Sequence, residues 1–175
     1  MISGKANLNY FDRSNQSKKN VFIVTWVLEV EHLEYLIKSL PDWHFNIGAP
    51  VYCASALTNL SVYENVTLYQ SIIHNRIEWI LDDTTVYLDI NHGNEVLSIV
   101  RQAFERNLLI LAYDNTIHSP VFHHKNGIFN HSQPHTLSDW LLNVDDYSQT
   151  VSRWRSDILP MTYEDYKQIL FSNVD

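Results

Sequence analysis

The sequence predicts a single α/β domain built on a parallel β-sheet, and three observations indicate it. Several short runs of β-branched and aromatic residues contain almost no polar residue, which is typical of strands buried on both faces of a sheet. Segments with helical periodicity separate these runs. The chain has 175 residues, of which 45% are hydrophobic, so it is long enough and apolar enough to bury one core.

The first half of the chain alternates strand and helix. The run VFIVTWV predicts a first strand at 21–27, and the segment after it has a helical periodicity that ends before Pro41. The runs at 43–49 and 64–72 predict the second and third strands, and a short helix is expected around 77–83. The apolar face of the first helix consists of Leu33, Leu36, Ile37 and Leu40.

The second half repeats this alternation. The runs at 85–90, 108–113 and 127–131 predict the fourth, fifth and sixth strands. A helix predicted to open at Asn94 joins the fourth strand to the fifth, and its apolar face consists of Val96, Val100, Ala103 and Phe104. Further helices are predicted around 136–144, 147–159 and 162–171.

Strands that alternate with helices are joined by right-handed crossovers, which place helices on both faces of the sheet. We therefore predict a Rossmann-like parallel sheet of about six strands with helices on both faces. The chain is expected to divide into three parts. Residues 1–20 form a linker or interdomain segment, residues 21–145 form the Rossmann-like domain, and residues 146–175 form C-terminal helices that pack on this domain.

Composition excludes several classes of function. The net charge is -8 and the few basic residues form no stripe, so a nucleic-acid partner is not expected. The single cysteine, Cys53, excludes an internal disulfide and a thiolate zinc cluster, and it favours a reducing compartment. No stretch has the length of a signal peptide or of a membrane span, so we expect a cytoplasmic protein.

The stretch YLDINHGNEV, residues 87–96, contains the most informative turn. The fourth strand ends there and the chain breaks at Asn91, His92 and Gly93, and ligands of open α/β sheets bind beyond the carboxyl ends of strands. Gly93 would let the backbone approach a ligand or adopt a left-handed turn, and the N–H groups of a helix opening at Asn94 would favour a pyrophosphate. Alternatively, the break only caps a helix.

Other ligand signatures are missing from the sequence. No Gly-x-x-x-x-Gly-Lys run is present and the chain has only four glycines, which excludes a P-loop and a dinucleotide fingerprint. We interpret Asp89 as pointing along the buried edge of its strand. Five histidines fall in one short stretch, but neighbouring side chains diverge and carboxylates are sparse nearby, so no metal site is expected. These histidines are His118, His123, His124, His131 and His135.

The segments at 21–50, 60–72 and 86–119 resemble the C-terminal half of bacterial glycosyltransferase-like proteins of the accessory Sec export system. In particular, they are similar to the stabilising partner of the two-protein transferase that places N-acetylglucosamine on serine-rich repeat adhesins. YLDINHGNEV and AYDNTIHS are the most specific parts of the resemblance, which spans roughly residues 20 to 145. The resemblance implies the C-terminal, nucleotide-sugar half of a GT-B fold.

The resemblance also implies a set of site residues. Retaining GT-B transferases commonly carry two glutamates at a fixed spacing. These two positions align with Asn94 and Gln102 of this sequence. Both residues are carboxamides, which cannot act as a general base. Glu95 would restore a carboxylate if the register shifts by one residue. The residues expected to contact a nucleotide-sugar are Asn91, His92, Gly93, Asn94, Glu95, Gln102, Asp114, Asn115 and Thr116.

Three functions are consistent with these patterns. The first is a non-catalytic domain that stabilises a partner transferase subunit and presents its adhesin substrate, requires no cofactor, and associates peripherally with the inner face of the membrane. The second is the donor-binding domain of an active transferase, with a UDP-sugar as ligand. The third is an interaction module without a ligand, whose docking face would contain Trp140, Trp154, Tyr163, Tyr166 and Phe171.

Overall fold

The computed structural model describes residues 19–49, 57–72 and 74–158. The predicted linker up to residue 18, Cys53 and the helix predicted at 162–171 lie outside these ranges. None of the helices within the described ranges combines the length and the apolar character needed to traverse a bilayer.

Within the described ranges, six parallel strands form one sheet, as the sequence predicted, in the order β3-β2-β1-β4-β5-β6. The order reverses once, because β2 and β3 lie on one side of β1 while β4, β5 and β6 lie on the other. The carboxyl ends of β1 and β4 therefore flank the switch point of a doubly wound sheet. The strands are β1 (Asn20–Val24), β2 (His44–Ala49), β3 (Val66–Gln70), β4 (Val86–Asp89), β5 (Leu109–Tyr113) and β6 (Ile128–Phe129).

The strands are shorter than predicted at their ends. Strand β1 begins at Asn20, one residue inside the predicted linker, and it ends at Val24 rather than at residue 27. A local hydrogen-bonded turn explains this end, because the Thr25 hydroxyl donates to the Val27 carbonyl at 2.7 Å and accepts from the Val27 N–H at 3.1 Å. A side chain that satisfies its own backbone in this way competes with continued strand pairing.

Helices cover both faces of the sheet. Helices α1, α4 and α5 pack on one face, and α2 and α3 pack on the other. Alternate residues of each strand supply the two apolar layers, with Val21 and Ile23 in one and Phe22 and Val24 in the other. The helices are α1 (Leu33–Ser39), α2 (His74–Asp82), α3 (Ile99–Glu105), α4 (His135–Asn143) and α5 (Tyr147–Ile158).

Helix α5 contributes to the core. Val151 and Trp154 are buried in the layer formed with α1 and α4, and Tyr147 packs edge-on against Trp43 with ring centroids 5.6 Å apart. Of the aromatic residues suggested for a docking face, Trp154 is therefore a core residue and Trp140 is half-buried against the same layer. Tyr163, Tyr166 and Phe171 lie outside the described residues.

Asn65 links α1, β2 and β3 through one side chain. Its Nδ2 lies 3.1 Å from the Ile37 carbonyl, 3.3 Å from the Leu40 carbonyl and 3.1 Å from the Trp43 carbonyl. Two of these oxygens belong to the last turn and the end of α1, where carbonyls have no partner within the helix. The side-chain amide of Asn65 thus joins the end of this helix to the turn that precedes β3 by hydrogen bonds.

We expect Asn65→Ala to lower the free energy of unfolding by about 1–3 kcal/mol, because half-buried carbonyls lose their donor. Urea denaturation followed by circular dichroism measures this difference. Asn75→Ala on the exposed side of α2 is the matched control and should change stability by less than about 0.5 kcal/mol. Equal effects of the two substitutions would contradict the linking role of Asn65.

Candidate functional site

The loop after β1 crosses the switch point of the sheet and meets the corner after β4. Glu31 N–H donates to the Ile90 carbonyl at 2.7 Å, and His92 N–H donates to the Glu29 carbonyl at 3.1 Å. Val30 and Asn91 form an isolated antiparallel bridge between these two hydrogen bonds. The two loops are therefore joined by their backbones where an open α/β sheet usually binds its ligand.

Asn91 and Gly93 shape the corner itself. Asn91 is 1% exposed, and its Oδ1 accepts from the Gly93 N–H at 2.9 Å, which is an Asx turn. Gly93 does not adopt the left-handed conformation that the sequence allowed. A Cβ atom at this position would lie 2.8 Å from Cγ1 of Val27, so close packing against the loop after β1 requires the glycine.

The helix predicted to open at Asn94 begins at Ile99 instead, so this prediction was wrong. Leu97 and Ser98 both have φ of 51°, a left-handed conformation that interrupts a helix. The Val100 N–H in the first turn is already bound, because it donates to Glu95 Oε1 at 3.0 Å. The helix end therefore does not present this amide to a pyrophosphate.

The carboxylate of Glu95 is engaged at both oxygens. Besides accepting from Val100, it accepts a hydrogen bond from the Ser119 hydroxyl at 2.6 Å through Oε2. Gln102 turns back along its helix and donates to the Leu97 carbonyl at 2.8 Å, whereas the Asn94 side chain is exposed. Of the three residues at or beside the glutamate positions of the GT-B pattern, Glu95 caps a helix and Gln102 lies on the helix surface. Asn94 faces solvent.

The turn after β5 is held by contacts to three other elements. Asp114 accepts from the His131 N–H at 3.1 Å and from its Nδ1 at 2.6 Å. The Thr116 hydroxyl is buried and lies 2.8 Å from the Asp89 carbonyl. Asn115 is the member of this turn that reaches the corner, because it donates to Glu31 Oε2 at 2.8 Å.

Side chains from three loops contact the carboxylate of Glu31. His92 Nε2 lies 2.6 Å from Glu31 Oε2, beside the Asn115 contact, and His32 Nε2 lies 2.9 Å from Glu31 Oε1. Partial burial raises the pKa of Glu31, but the hydrogen bonds from Asn115 and His92 outweigh it and hold that pKa below its ordinary value. The sequence analysis missed Glu31, because within its segment it looks like the polar side of a helix.

Asp89 is the second carboxylate that the sequence analysis did not place in the site. It is fully buried, and its oxygens accept from the His118 N–H and from His118 Nδ1, both at 2.6 Å. His118 Nε2 lies 2.6 Å from the Gly93 carbonyl. A carboxylate and a carbonyl only accept, so both ring nitrogens of His118 must donate and the ring is an imidazolium.

The pKa values of this pair agree with that protonation. The hydrogen bond to Asp89 raises the pKa of His118, although desolvation opposes the rise. Burial raises the pKa of Asp89, but the hydrogen bonds from His118 and the close approach of the His123 ring outweigh burial and hold that pKa below its ordinary value. An aspartate that ends a buried strand, together with the histidines that follow the next strand, is the sequence signal that could have indicated this pair.

Of the clustered histidines, His118 and His123 lie beside Asp89, whereas His124 and His131 contact other groups. His123 is buried with its Nε2 3.3 Å from Asp89 Oδ2, and neither of its ring nitrogens has a well-oriented hydrogen bond within the described chain. His124 stacks on Trp154 with ring centroids 4.8 Å apart, and His131 pairs with Asp114. Among the described residues, no group of three or more His, Cys, Asp or Glu side chains is arranged to hold a metal ion.

The imidazolium predicts a pH dependence of stability. Because the pKa of folded His118 is raised above 6.5, its stabilisation is complete below that pH and is lost as the pH rises through the raised value. Because the pKa of folded Asp89 is lowered from 3.8, its stabilisation is present above that pH and is lost on acidification. We expect His118→Asn to flatten the decline of unfolding free energy above pH 6.5.

Chemical denaturation of both proteins at a series of pH values measures this slope. His135→Asn, which removes an exposed imidazole at the start of α4, is the matched control for the loss of a histidine side chain. Identical slopes in wild type and His118→Asn would contradict the assignment of the imidazolium.

The contact between Gly93 and Val27 predicts a coupling between the two loops. Gly93→Ala should lower stability by about 1–3 kcal/mol, because the new Cβ is forced against the valine. In Val27→Ala the same change should cost clearly less, since the obstructing methyl groups are gone. A double-mutant cycle by urea denaturation measures the coupling, and additive effects would contradict it.

Comparisons with known proteins agree with this architecture. A UDP-N-acetylglucosamine–peptide N-acetylglucosaminyltransferase stabilizing protein, GtfB, of Streptococcus parasanguinis is 60% identical over 93% of this chain and 37% of its own length. Glycosyltransferase GlyF of Streptococcus pneumoniae serotype 4 (strain ATCC BAA-334 / TIGR4) is 50% identical over 81% of this chain and 35% of its own length. The chain thus spans little more than a third of these relatives.

A solved structure, the GtfA/B complex bound to UDP and GlcNAc, superimposes with a TM-score of 0.75 and 32% identity. The match covers 92% of this chain and 37% of that one. The sheet and its helices are therefore the C-terminal half of a GT-B fold, as the resemblance implied. The family model of the GftB/GlyA-F C-terminal domain matches residues 21–155, and the chain belongs to that family.

Proposed function

We propose that the chain is a non-catalytic glycosyltransferase-fold domain that helps to stabilise a partner glycosyltransferase. One observation carries this proposal: most of the polar side chains expected to bind a nucleotide-sugar are bound to other groups of this chain instead. Glu31 binds His92 and Asn115, Glu95 caps a helix, and Thr116 is buried against Asp89. The relatives named as stabilizing proteins support the same role.

A lack of catalysis follows from the chemistry of the corner. Asn94 and Gln102 are carboxamides, which neither accept a proton at neutral pH nor stabilise developing positive charge. The remaining carboxylate, Glu95, would have to give up the Val100 N–H and the Ser119 hydroxyl before it could act on a sugar. The domain therefore contributes shape and contacts rather than a reacting group.

The partner and the setting are part of the proposal. The partner is a transferase subunit that attaches N-acetylglucosamine to serine and threonine of a serine-rich repeat adhesin, and the domain helps to present that adhesin. The complex works in the cytoplasm and associates peripherally with the inner face of the membrane. The similar peptide N-acetylglucosaminyltransferase stabilizing protein and the similar GtfA/B complex support this partner.

A second candidate function is the donor-binding domain of an active transferase. GlyF, named a glycosyltransferase, is 50% identical to this chain and favours this candidate. A UDP-sugar would then bind at the corner and Glu95 would be the reacting carboxylate.

A chimera separates the two candidates. This chain replaces the corresponding segment of the Streptococcus parasanguinis stabilizing protein, which is coexpressed with the transferase that it stabilises. We expect the chimera to restore the amount of soluble transferase and its rate of sugar transfer to an adhesin peptide, whereas deletion of the segment should not. Failure of a folded chimera to protect the transferase would contradict the stabilising role.

Glu95→Gln in the chimera tests the second candidate. A non-catalytic domain should transfer sugar within about twofold of the wild-type chimera per mole of complex, since Gln can still accept the Val100 hydrogen bond. Loss of a general base or nucleophile would instead reduce the rate by about 100-fold or more at an unchanged amount of complex. That result would establish the donor-binding alternative.

A further inference from the structure

A groove lies beside the first half of β5, at the end of this strand opposite to the switch point. Strand β6 pairs with Ala112 and Tyr113, so within the described ranges it leaves the edge of β5 at Leu109 and Ile110 without a neighbouring strand. The end of α3, one face of α5 and the segment after β5 enclose the groove, which has a volume of about 250 Å³ and opens to solvent. Its main lining residues are Phe104, Leu108, Phe122, His124, Trp154 and Arg155.

His124 and Trp154 form an uncharged part of the wall, with their rings stacked at a centroid distance of 4.8 Å. His124 Nδ1 accepts a hydrogen bond from the Asn126 N–H at 3.2 Å, so this nitrogen carries no proton and the ring is neutral. The other ring nitrogen, Nε2, lies 3.2 Å from Asp157 Oδ2. The imidazole thus engages the carboxylate of Asp157 and leaves the charge of the groove to another residue.

Arg155 is the charged group of the groove. Its guanidinium lies over the Phe104 ring, with Cζ 4.1 Å from the ring centroid, and its Nη1 donates to the Phe104 carbonyl in the last turn of α3. The side chain is half-buried, and burial lowers the pKa of Arg155 because it disfavours the charged form. Among the residues that the structure describes, no carboxylate pairs with this guanidinium to offset that cost.

The charge, the walls and the size of the groove indicate one class of ligand. A guanidinium presents several N–H donors in a planar fork, of which the Phe104 carbonyl engages one, and this fork matches the two oxygens of a carboxylate. Aromatic and aliphatic walls favour a hydrocarbon body. The volume lies just below that of pockets for drug-sized ligands, roughly 300–1,000 Å³, so the ligand must be small.

We infer that the groove between α5 and the start of β5 binds a small carboxylate with an apolar body. Arg155 holds the carboxylate, and the rings of Phe122 and Trp154 cover the hydrocarbon. The inference goes beyond the proposed function, because the groove lies at the opposite edge of the sheet from the corner and its ligand requires no partner transferase.

Titration of the full chain with octanoate, followed by nuclear magnetic resonance, tests the inference. Each of the five tryptophans gives one indole N–H signal, and Trp154→Phe identifies the signal of Trp154. We expect millimolar octanoate to shift the Trp154 signal saturably and to leave the signal of Trp79, which is exposed on α2, unchanged. Octanol has the same apolar body without the charge, so it should bind at least about tenfold more weakly.

Arg155→Met assigns the binding to the guanidinium, because methionine keeps an apolar stem and removes the charge. We expect this variant to bind octanoate about tenfold more weakly than the wild type and to bind octanol equally well. Arg153→Met is the matched control, since it removes the same charge from an exposed position of the same helix, and it should keep the wild-type affinity. Circular dichroism checks folding, and if Arg155→Met unfolds, the comparison of octanoate with octanol on the wild-type chain decides.

An unchanged Trp154 signal at millimolar octanoate would overturn the inference. Equal affinities for octanoate and octanol would do so too, as would equal losses in Arg155→Met and Arg153→Met. A parallel titration with phenylacetate distinguishes the two kinds of apolar body: tighter binding of phenylacetate assigns the groove to aromatic acids, and tighter binding of octanoate assigns it to acyl chains. A negative result leaves the chimera test of the stabilising function unaffected.

Discussion

The carboxyl edge of this domain depends on the ion pair between Asp89 and His118. A carboxylate that is completely buried at the end of a strand is unfavourable unless a partner compensates its charge and its hydrogen bonds. His118 does both, since its backbone N–H and its ring bind the two carboxylate oxygens. Its second ring nitrogen then holds the Gly93 carbonyl, which fixes the corner after β4 to the segment after β5.

The rest of the edge is organised around this pair. Thr116 bonds to the backbone of Asp89, and Ser119, next to His118, bonds to Glu95. Glu95 in turn caps α3, and the corner so formed carries His92 to Glu31. Several polar groups at this edge are thus hydrogen-bonded to one another. These bonds hold the loops together on a sheet that has the shape of a GT-B half.

Local sequence patterns were sufficient for the framework. Runs of β-branched residues and helical periodicity identified all six strands and the helices that the structure describes, because burial on one or both faces imposes those periods. The resemblance to accessory Sec glycosyltransferase-like proteins identified the domain as the C-terminal half of a GT-B fold. Local patterns predicted the wrong start of α3, because Leu97 and Ser98 have left-handed backbone conformations. The helix therefore begins at Ile99.

The candidate site was less predictable, because its contacts join distant segments. Glu31 is 61 residues from His92 and 84 from Asn115, and nothing within its own segment distinguishes it from the polar side of a helix. Gly93 was singled out for a left-handed turn or a bound ligand, but the structure shows no left-handed glycine there and the approach of Val27 from another loop requires the glycine. Only the order of the strands, which brings β1 beside β4, places these residues together.

The covalent attachment of Glu31 gives the corner a property that a diffusible ligand would not. A group held by the backbone acts at a fixed effective concentration, whereas the occupancy of a free anion follows its supply. Dilution of the protein does not remove Glu31 from its contacts with His92 and Asn115. The chain itself therefore sets the shape of this edge, which does not vary with the supply of a free anion.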